Sequence, residues 1–387
     1  MPTIDWVIDC DTHITEPGDL WTERLPQKWC DRAPRVERTE DGVDIWRVGD
    51  HTPMVPLGHT AVAGWKEPFP AAPKNMDEVP KASWDPSARL EYMDSIGVWA
   101  MALYPNVGGF GNQGFLQLKD PELMAACVRA YNDFLTEWTE VDSRRFIPIT
   151  AIAMWDVEEA VREIQRCAKR GHKGVLFCGE PQKLGFPLLG DPHWNPIWEV
   201  AQEAGLPISF HIGAGDFDSA FGMDRIQTHG IGPTVVKSTV TLLIENAHQV
   251  VDLLLSGVLP RYPNLEFISV ESGIGWIPFL LEAADHCFGY SHVRREKPEF
   301  EMLPSEYFHR QVFGCYFFEE LAPQRLLDSI GEDNVLFETD YPHPVCLYGN
   351  VREKIDAGLA GQPKKVRRKL LFDNAAKLYD IAPPPAA

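Results

Sequence analysis

The sequence alternates short apolar runs with longer helical patterns along almost its whole length. Eight of the apolar runs have the length and composition of buried strands. They cover residues 6–9, 99–104, 146–153, 174–178, 207–211, 266–270, 312–318 and 335–339. Eight strands separated by helices predict a (β/α)8 TIM barrel, and a doubly wound parallel sheet is the less favoured α/β alternative.

Two segments do not fit the strand–helix repeat. Residues 17–86 form a long insertion after strand one that is rich in Pro and Trp, and residues 213–237 form a Gly-rich loop after strand five. Long ordered loops on a barrel usually cover the active site, although the insertion could instead contribute to an interface. We predict a single domain over residues 1–380 and a disordered tail over residues 381–387.

Composition excludes several functional classes. The formal net charge of −20 argues against a general affinity for nucleic acid or for an anionic membrane. No apolar run reaches the roughly 18–20 residues that would span a bilayer. The N-terminus lacks the basic and apolar regions of a secretory signal, and none of the eight cysteines lies in a C-x-x-C pair. A reducing, cytoplasmic environment fits this pattern best.

Acidic and imidazole side chains stand where four of the predicted strands end. Asp11 and His13 close strand one, and since they are two residues apart they share one face of it. His211, Glu271 and Asp340 follow strands five, six and eight. A barrel gathers these strand ends at one rim, where clustered carboxylates repel one another unless a cation compensates them. The sequence therefore predicts a divalent-metal site, although any one of these residues alone could be an ordinary polar residue or a helix cap.

The motifs resemble a known family. Asp11-Thr12-His13 has the form D-x-H, residues 270–278 read V-E-S-G-I-G-W-I-P, Asp340 lies in T-D-Y-P, and residues 374–379 read N-A-A-K-L-Y. Together with His211, these motifs resemble the amidohydrolase-related group that includes the aminocarboxymuconate-semialdehyde decarboxylase-like enzymes. The resemblance implies a distorted TIM barrel that holds one divalent metal.

Carried over by position, the resemblance implies that Asp11, His13, His211 and Asp340 are the metal ligands. Two nitrogen and two carboxylate donors suit Zn²⁺ or Mn²⁺, and we favour Zn²⁺. Related decarboxylases commonly carry His after strand six, where this chain has Glu271. An ionised Glu only accepts hydrogen bonds, so this difference bears on the reaction.

Two kinds of chemistry remain open, with Asp340, Glu271 and His211 as the catalytic candidates. The first is non-oxidative decarboxylation of a small cyclic or aromatic acid, with Asp340 as the proton shuttle. The second is metal-dependent hydrolysis of an amide, ester, lactone or C–C bond, with Asp340 and Glu271 handling protons. A minor alternative is an inactive barrel that holds metal and acts as a binding protein.

The remaining candidates would bind substrate or support the ligands. Arg225 and His229, in the 213–237 loop, could clamp an anionic substrate, although a solvated loop charge is the favoured interpretation of each. His343 could line the pocket, and Glu16 could support a ligand imidazole. The family resemblance also implies a homo-oligomer, either a dimer or a tetramer.

Overall fold

The computed structural model describes residues 6–50, 52–67, 69–214 and 223–385. The strands in these ranges are β1 (Val7–His13), β2 (Arg35–Arg38), β3 (Asp44–Val48), β4 (Thr52–Pro56), β5 (Val98–Tyr104), β6 (Phe146–Thr150), β7 (Gly174–Phe177), β8 (Ile208–His211), β9 (Phe267–Val270), β10 (Val312–Tyr316) and β11 (Val335–Phe337). Eight of them form one parallel sheet in the order β1-β5-β6-β7-β8-β9-β10-β11. These eight are the strands predicted from the apolar runs.

The first and last strands of this sheet meet, which nearly closes the barrel. The His13 N–H donates to the Tyr341 carbonyl over 2.7 Å, and the Asp340 N–H donates to the Asp11 carbonyl over 2.9 Å. Thr12 and Tyr341 form an isolated parallel bridge at the same place. The predicted (β/α)8 barrel is therefore confirmed.

Helices connect the barrel strands and cover the outside of the barrel. In the described ranges, the α-helices of eight or more residues are Pro86–Ile96, Pro121–Thr139, Val157–Ala168, Asn195–Ala204, Ile231–Leu243, Asn246–Leu255, Ile277–Tyr290, Pro304–Gln311 and Val351–Gly358. The shorter ones are Leu20–Arg24, Met223–His229, Val258–Arg261, Val293–Glu296, Leu321–Arg325, Leu327–Ile330, Lys364–Arg368 and Asn374–Leu378. None of these helices combines the length and the apolar character needed to cross a bilayer.

Local sequence explains where several of these helices begin. The Asp85, Asp120 and Asp156 carboxylates accept hydrogen bonds from the backbone N–H groups of Ala88, Leu123 and Glu159, which the first helical turn leaves unpaired. Such N-caps are each worth about 0.5–2 kcal/mol. The caps fix the entry points of three helices that pack against the barrel.

Apolar residues form two layers around the barrel wall. One layer fills the barrel and includes Ile8, Ile149, Leu176 and Val270. The larger layer lies between the strands and the surrounding helices. Because the interior is closed by its own side chains, polar chemistry is confined to the rims.

The 17–86 insertion has a fold of its own, which the sequence did not reveal. Strands β2, β3 and β4 form a three-stranded antiparallel sheet within it. Further along, the Val62 and Ala63 N–H groups donate to the Pro342 carbonyl over 3.0 and 3.1 Å. The insertion therefore touches the loop after β11, on the rim where the strand-end residues gather.

The prediction of a loop over residues 213–237 is wrong for much of that segment. Helices occupy Met223–His229 and Ile231–Leu243, and the next helix begins at Asn246. Gly230 precedes the second helix, and Pro233 lies in its first turn, where no N–H is required. Residues 215–222 lie outside the described residues.

Part of the predicted disordered tail makes contacts with the barrel. Ile381 is buried, and the Ala382 carbonyl accepts a hydrogen bond from Trp99 Nε1 over 2.9 Å. These contacts anchor the start of the segment. Residues 386–387 of the predicted tail lie outside the described residues.

A buried carboxylate reinforces the closure of the barrel. Asp9, on β1, accepts hydrogen bonds from the Thr339 N–H at Oδ1 over 2.9 Å and from the Thr339 hydroxyl at Oδ2 over 2.6 Å. Burial raises the pKa of Asp9 to about 7, against the hydrogen bonds from Thr339. The link between the first and last strands therefore costs stability when Asp9 ionises.

We predict that Asp9→Asn and Asp9→Ala have opposite effects on the metal-free protein at pH 7.5. Ala leaves the buried Thr339 N–H unpaired and should lower the free energy of unfolding by about 1–3 kcal/mol. Asn retains an acceptor and a donor for Thr339 and removes the cost of ionising a buried carboxylate. It should therefore raise the free energy of unfolding at pH 7.5. Since the folded pKa lies above the unfolded value, wild-type stability should fall as the pH rises from about 4 to 7, and Asn should flatten that fall.

Urea unfolding at pH 5 and pH 7.5, with chelator present, measures both effects. Glu158→Gln, on an exposed carboxylate, serves as the control for loss of a surface charge. Equal destabilisation by Asn and Ala at both pH values would contradict this account of Asp9.

Candidate metal centre

The ends of four barrel strands bring five predicted residues into one buried cluster. Asp11 and His13 come from β1, His211 ends β8, Glu271 follows β9 and Asp340 lies three residues beyond β11. Four of them are completely buried, and Glu271 is 7% exposed. The convergence expected from the strand-end positions is therefore present.

The potential ligand atoms lie close together. His13 Nε2 is 3.4 Å from Asp11 Oδ1 and 3.4 Å from Asp340 Oδ1, and His211 Nε2 is 3.5 Å from Asp11 Oδ1. Glu271 Oε2 lies 3.6 Å from His211 Nε2. One donor atom from each of Asp11, Glu271 and Asp340 also falls within 4.8 Å of the others. These separations leave the donors facing a common centre.

Unpaired polar atoms show that the cluster fits a cation. Within the described part of the chain, both Asp11 oxygens, His13 Nε2 and His211 Nε2 are buried without a hydrogen-bond partner. The other nitrogens are engaged: His13 Nδ1 contacts the Pro105 carbonyl over 3.3 Å, and His211 Nδ1 contacts the Ile212 carbonyl over 2.7 Å. A carbonyl accepts only N–H, so in the neutral ring each Nε2 presents a lone pair to the centre, as a metal-ligating histidine does.

Electrostatics also favour a cation at this centre. Burial, followed by the charge of Asp11, raises the pKa of Asp340 well above its usual value. Burial, followed by the charge of Asp340, does the same to the pKa of Glu271. Burial lowers the pKa of His13. At His211 burial also acts to lower the pKa, but the charges of Asp11 and Glu271 outweigh it and the pKa is raised. A bound divalent cation would relieve the repulsion among these carboxylates.

Two members of the cluster adopt strained backbone conformations. Glu271 has φ +56° and Asp340 has φ +60°, both in the left-handed region that non-glycine residues rarely occupy. Such conformations cost of order 1–3 kcal/mol and persist when surrounding contacts impose them. The turns after β9 and β11 therefore hold these two carboxylates in place at the expense of local strain.

His343 joins the cluster from the turn after Asp340. Its ring stacks on His13 with 3.8 Å between centroids, and its Nδ1 lies 2.9 Å from Asp340 Oδ1. Its Nε2 lies 2.7 Å from Asn106 Oδ1. His343, predicted to line the pocket, thus contacts two of the proposed ligands.

Asn106 fixes which nitrogen of His343 carries a proton. The Asn106 amide nitrogen donates to the Ile14 carbonyl and to Glu16 Oε2, so its oxygen must face His343. An amide oxygen only accepts, and therefore His343 Nε2 carries hydrogen. Glu16 was expected to support a ligand imidazole, but it binds Asn106 and so acts on His343 through that residue.

Phe110 forms an apolar wall beside the two ligand histidines. Its ring stacks on His211 with 3.8 Å between centroids and lies 5.4 Å from His13. It belongs to the segment after β5, in which no strand-end motif drew attention to it. Any molecule that reached the centre would meet this aromatic face.

Arg89 stabilises the end of β1 through hydrogen bonds. Its fully buried guanidinium donates to the His13 carbonyl over 2.8 Å and to Thr12 Oγ1 over 3.4 Å. It also lies 4.6 Å from the Tyr341 ring centroid. This buried cation fixes the backbone that carries Asp11 and His13, and no sequence motif identified it.

The predicted anion clamp is not part of this cluster. Arg225 and His229 lie on the short helix Met223–His229, and both side chains are exposed. In the described ranges, no hydrogen bond or ion pair joins either residue to the cluster. Their substrate-binding role stays a prediction.

Comparison with known proteins identifies the family. The sequence model described as Amidohydrolase matches residues 8–381. The chain therefore belongs to the amidohydrolase family, as the motifs indicated.

The relatives of this chain include decarboxylases. The chain is 22% identical to 2-amino-3-carboxymuconate-6-semialdehyde decarboxylase of Dictyostelium discoideum, over 94% of this chain and 92% of that protein. It is 28% identical to the gamma-resorcylate decarboxylase of Polaromonas sp., over 66% of this chain and 76% of that protein. Both alignments extend over most of the chain and are not confined to one short motif.

A solved structure shares the fold. The dihydroxybenzoic acid decarboxylase of Polaromonas sp. JS666, with bound manganese and the inhibitor 2-nitroresorcinol, superposes with a TM-score of 0.64 at 20% identity. The match covers 97% of each chain. At this identity the similarity supports the barrel fold of the chain.

We predict that His13→Ala and His211→Ala abolish stoichiometric binding of Zn²⁺ or Mn²⁺. Each removes a buried nitrogen donor, which should weaken affinity by more than the roughly 10–100-fold typical of an outer-shell loss. Metal is first removed from the protein with a chelator, and the protein is then titrated with Zn²⁺ or Mn²⁺. Elemental analysis measures the number of ions bound per chain. His193→Ala, on a surface histidine, is the control, and full retention of metal by both variants would contradict the site.

Proposed function

We propose that this member of the amidohydrolase family is a metal-dependent enzyme that decarboxylates a small hydroxylated aromatic acid without redox chemistry. The observation that carries the proposal is the buried cluster of unpaired imidazole nitrogens and carboxylate oxygens at the carboxyl rim of the barrel. Such a rim is where barrel enzymes place their catalytic groups. The names of the relatives supply the reaction class.

Asp11, His13, His211 and Asp340 are the residues that would hold the metal. Their donor set suits Zn²⁺ or Mn²⁺, and the manganese in the related decarboxylase structure makes Mn²⁺ a candidate equal to Zn²⁺. When bound, a divalent metal supplies positive charge that draws the carboxylate and a neighbouring oxygen of an acid substrate. We propose one such ion per chain.

Asp340 and His343 are the proposed proton-handling pair. Asp340 would deliver a proton to the ring carbon that bears the carboxylate, and cleavage of the C–C bond would then release CO2. His343 Nδ1, 2.9 Å from Asp340 Oδ1, can return a proton to that carboxylate. With His343 Nε2–H held by Asn106, Nδ1 is the nitrogen free to exchange.

The surroundings of the cluster favour a flat, anionic substrate. Phe110 presents an aromatic face beside His211, against which a benzoate ring can stack. The cluster itself is acidic, so an acid can approach its carboxylates only when a cation separates them. Substrate binding should therefore require the metal.

Hydrolysis remains the second candidate, and one observation favours it. Glu271 stands where the related decarboxylases commonly carry His, and its Oε2 lies 3.6 Å from His211 Nε2. A carboxylate at this point can accept a proton from an attacking water. Decarboxylation and hydrolysis are distinguished by whether CO2 is released or water is consumed.

The test is an assay of metal-loaded protein on hydroxylated benzoates and on matched esters and lactones. The protein is loaded separately with Zn²⁺ and Mn²⁺, and CO2 release and acid formation are followed in parallel. CO2 release that requires metal supports the proposal. Ester or lactone cleavage without CO2 would replace it with hydrolysis, and no turnover on either class would contradict both.

We predict that Asp340→Asn lowers kcat for CO2 release by at least about 100-fold, because Asn retains an oxygen donor but carries no exchangeable carboxylic proton. Elemental analysis and circular dichroism establish whether metal and fold are retained. Asp356→Asn, on an exposed helical residue, is the matched control. A near-normal rate in Asp340→Asn would exclude Asp340 from proton transfer.

We predict that Glu271→His changes substrate preference or reaction type more than metal content. The substitution installs the residue common in related decarboxylases and exchanges an acceptor for a possible donor. Relative rates on the acid and ester panels, with ion content measured in the same samples, decide the outcome. Collapse of metal occupancy would instead make Glu271 a ligand.

A further inference from the structure

Glu338 is a buried carboxylate that the proposed chemistry does not use. It lies one residue beyond β11 and two before Asp340, and it is completely buried. Its Oε2 accepts a hydrogen bond from the Glu271 N–H over 3.0 Å, across from the neighbouring turn after β9. In the described part of the chain, its Oε1 has no hydrogen-bond partner.

The cost of Glu338 argues against a purely structural role. A buried carboxylate is expensive to desolvate, and this one lies among other carboxylates of the cluster. An apolar side chain would fill the same space without that cost. The Glu338 side chain accepts a hydrogen bond from the backbone N–H of Glu271, whose backbone conformation is strained.

The hydrogen bond acts where the Glu271 backbone is least stable. Glu271 has φ +56°, and a left-handed residue with a side chain persists only when its contacts impose that conformation. The Glu338 oxygen holds the N–H that such a turn exposes. Rotation of Glu271 to an extended conformation would redirect both this N–H and its carboxylate, which now lies 3.6 Å from His211 Nε2.

We propose that Glu338 is a positioning residue, which imposes the left-handed turn at Glu271 through this hydrogen bond and so aims the Glu271 carboxylate at the centre. The proposal rests on the proposed function only for its kinetic consequence. Its structural consequence, the conformation of Glu271, holds whatever reaction the site performs. Glu338 acts here as a hydrogen-bond acceptor, and its role does not depend on its charge.

Two substitutions separate the acceptor from the charge. Glu338→Gln removes the charge but keeps a carbonyl oxygen for the Glu271 N–H, whereas Glu338→Met conserves volume and removes the acceptor. We expect Met to lower kcat by roughly 10–100-fold, as a displacement of about 1 Å at a reacting centre does, with metal content unchanged. Gln should recover at least about tenfold of that loss. Glu158→Gln, on an exposed glutamate, is the control.

Crystal structures of the same variants test the proposal independently of turnover. Glu271 should keep a positive φ in Glu338→Gln and leave the left-handed region in Glu338→Met. If the wild-type protein decarboxylates none of the acids tested, the proposed function fails, yet this structural comparison still decides the role of Glu338.

Three results would overturn the proposal. One is a left-handed Glu271 in Glu338→Met, and another is an equal loss of kcat in both variants, which would make charge the operative property. The third is a Met variant that loses thermal stability while its kcat and KM stay those of the wild type. That outcome would assign Glu338 to stability alone.

Discussion

The structure depends on the burial of several carboxylates and two bare imidazole nitrogens around one point. Such an arrangement is unfavourable in an apolar interior unless an opposite charge compensates it. Arg89 supplies one buried positive charge, but it binds backbone carbonyls at the end of β1 and does not enter the centre. A divalent cation held between the carboxylates is the simplest arrangement that makes the folded centre stable.

The same region is where the chain closes on itself. Asp9 and Thr339 are 330 residues apart, and their hydrogen bonds join the first barrel strand to the last just beside the cluster. Closure thus places Asp11 and Asp340 opposite each other, and the Asp340 N–H to Asp11 carbonyl bond fixes their spacing. The stability of the barrel and the geometry of the site therefore depend on the same contacts between β1 and the residues after β11. A substitution on either side of this junction should affect both.

Much of the fold and of the centre could be predicted because both follow from periodic patterns. Buried parallel strands are continuous apolar runs, and polar residues directly after them point to one rim, which is how Asp11, His211 and Asp340 were found. Glu338 shares its strand parity with Asp340 and could have been found by that rule. Asn106 and Phe110 could not, because the path of a loop depends on tertiary contacts. The Gly-rich 213–237 segment was predicted as a loop, but Gly230 lies before a helix and Pro233 lies in its first turn, where neither residue breaks the helix.

The acidity of the centre constrains how an acid could use it. The whole chain carries a net charge of −20, and the carboxylates of the cluster add a local field of the same sign. An anionic substrate is therefore repelled by the metal-free protein, both at long range and at the centre. A bound divalent cation would weaken this repulsion, so the ion that would promote the reaction would also admit the substrate. Glu271, whose N–H donates to Glu338 at the edge of the centre, would in its ionised form favour substrates that present a hydrogen-bond donor there.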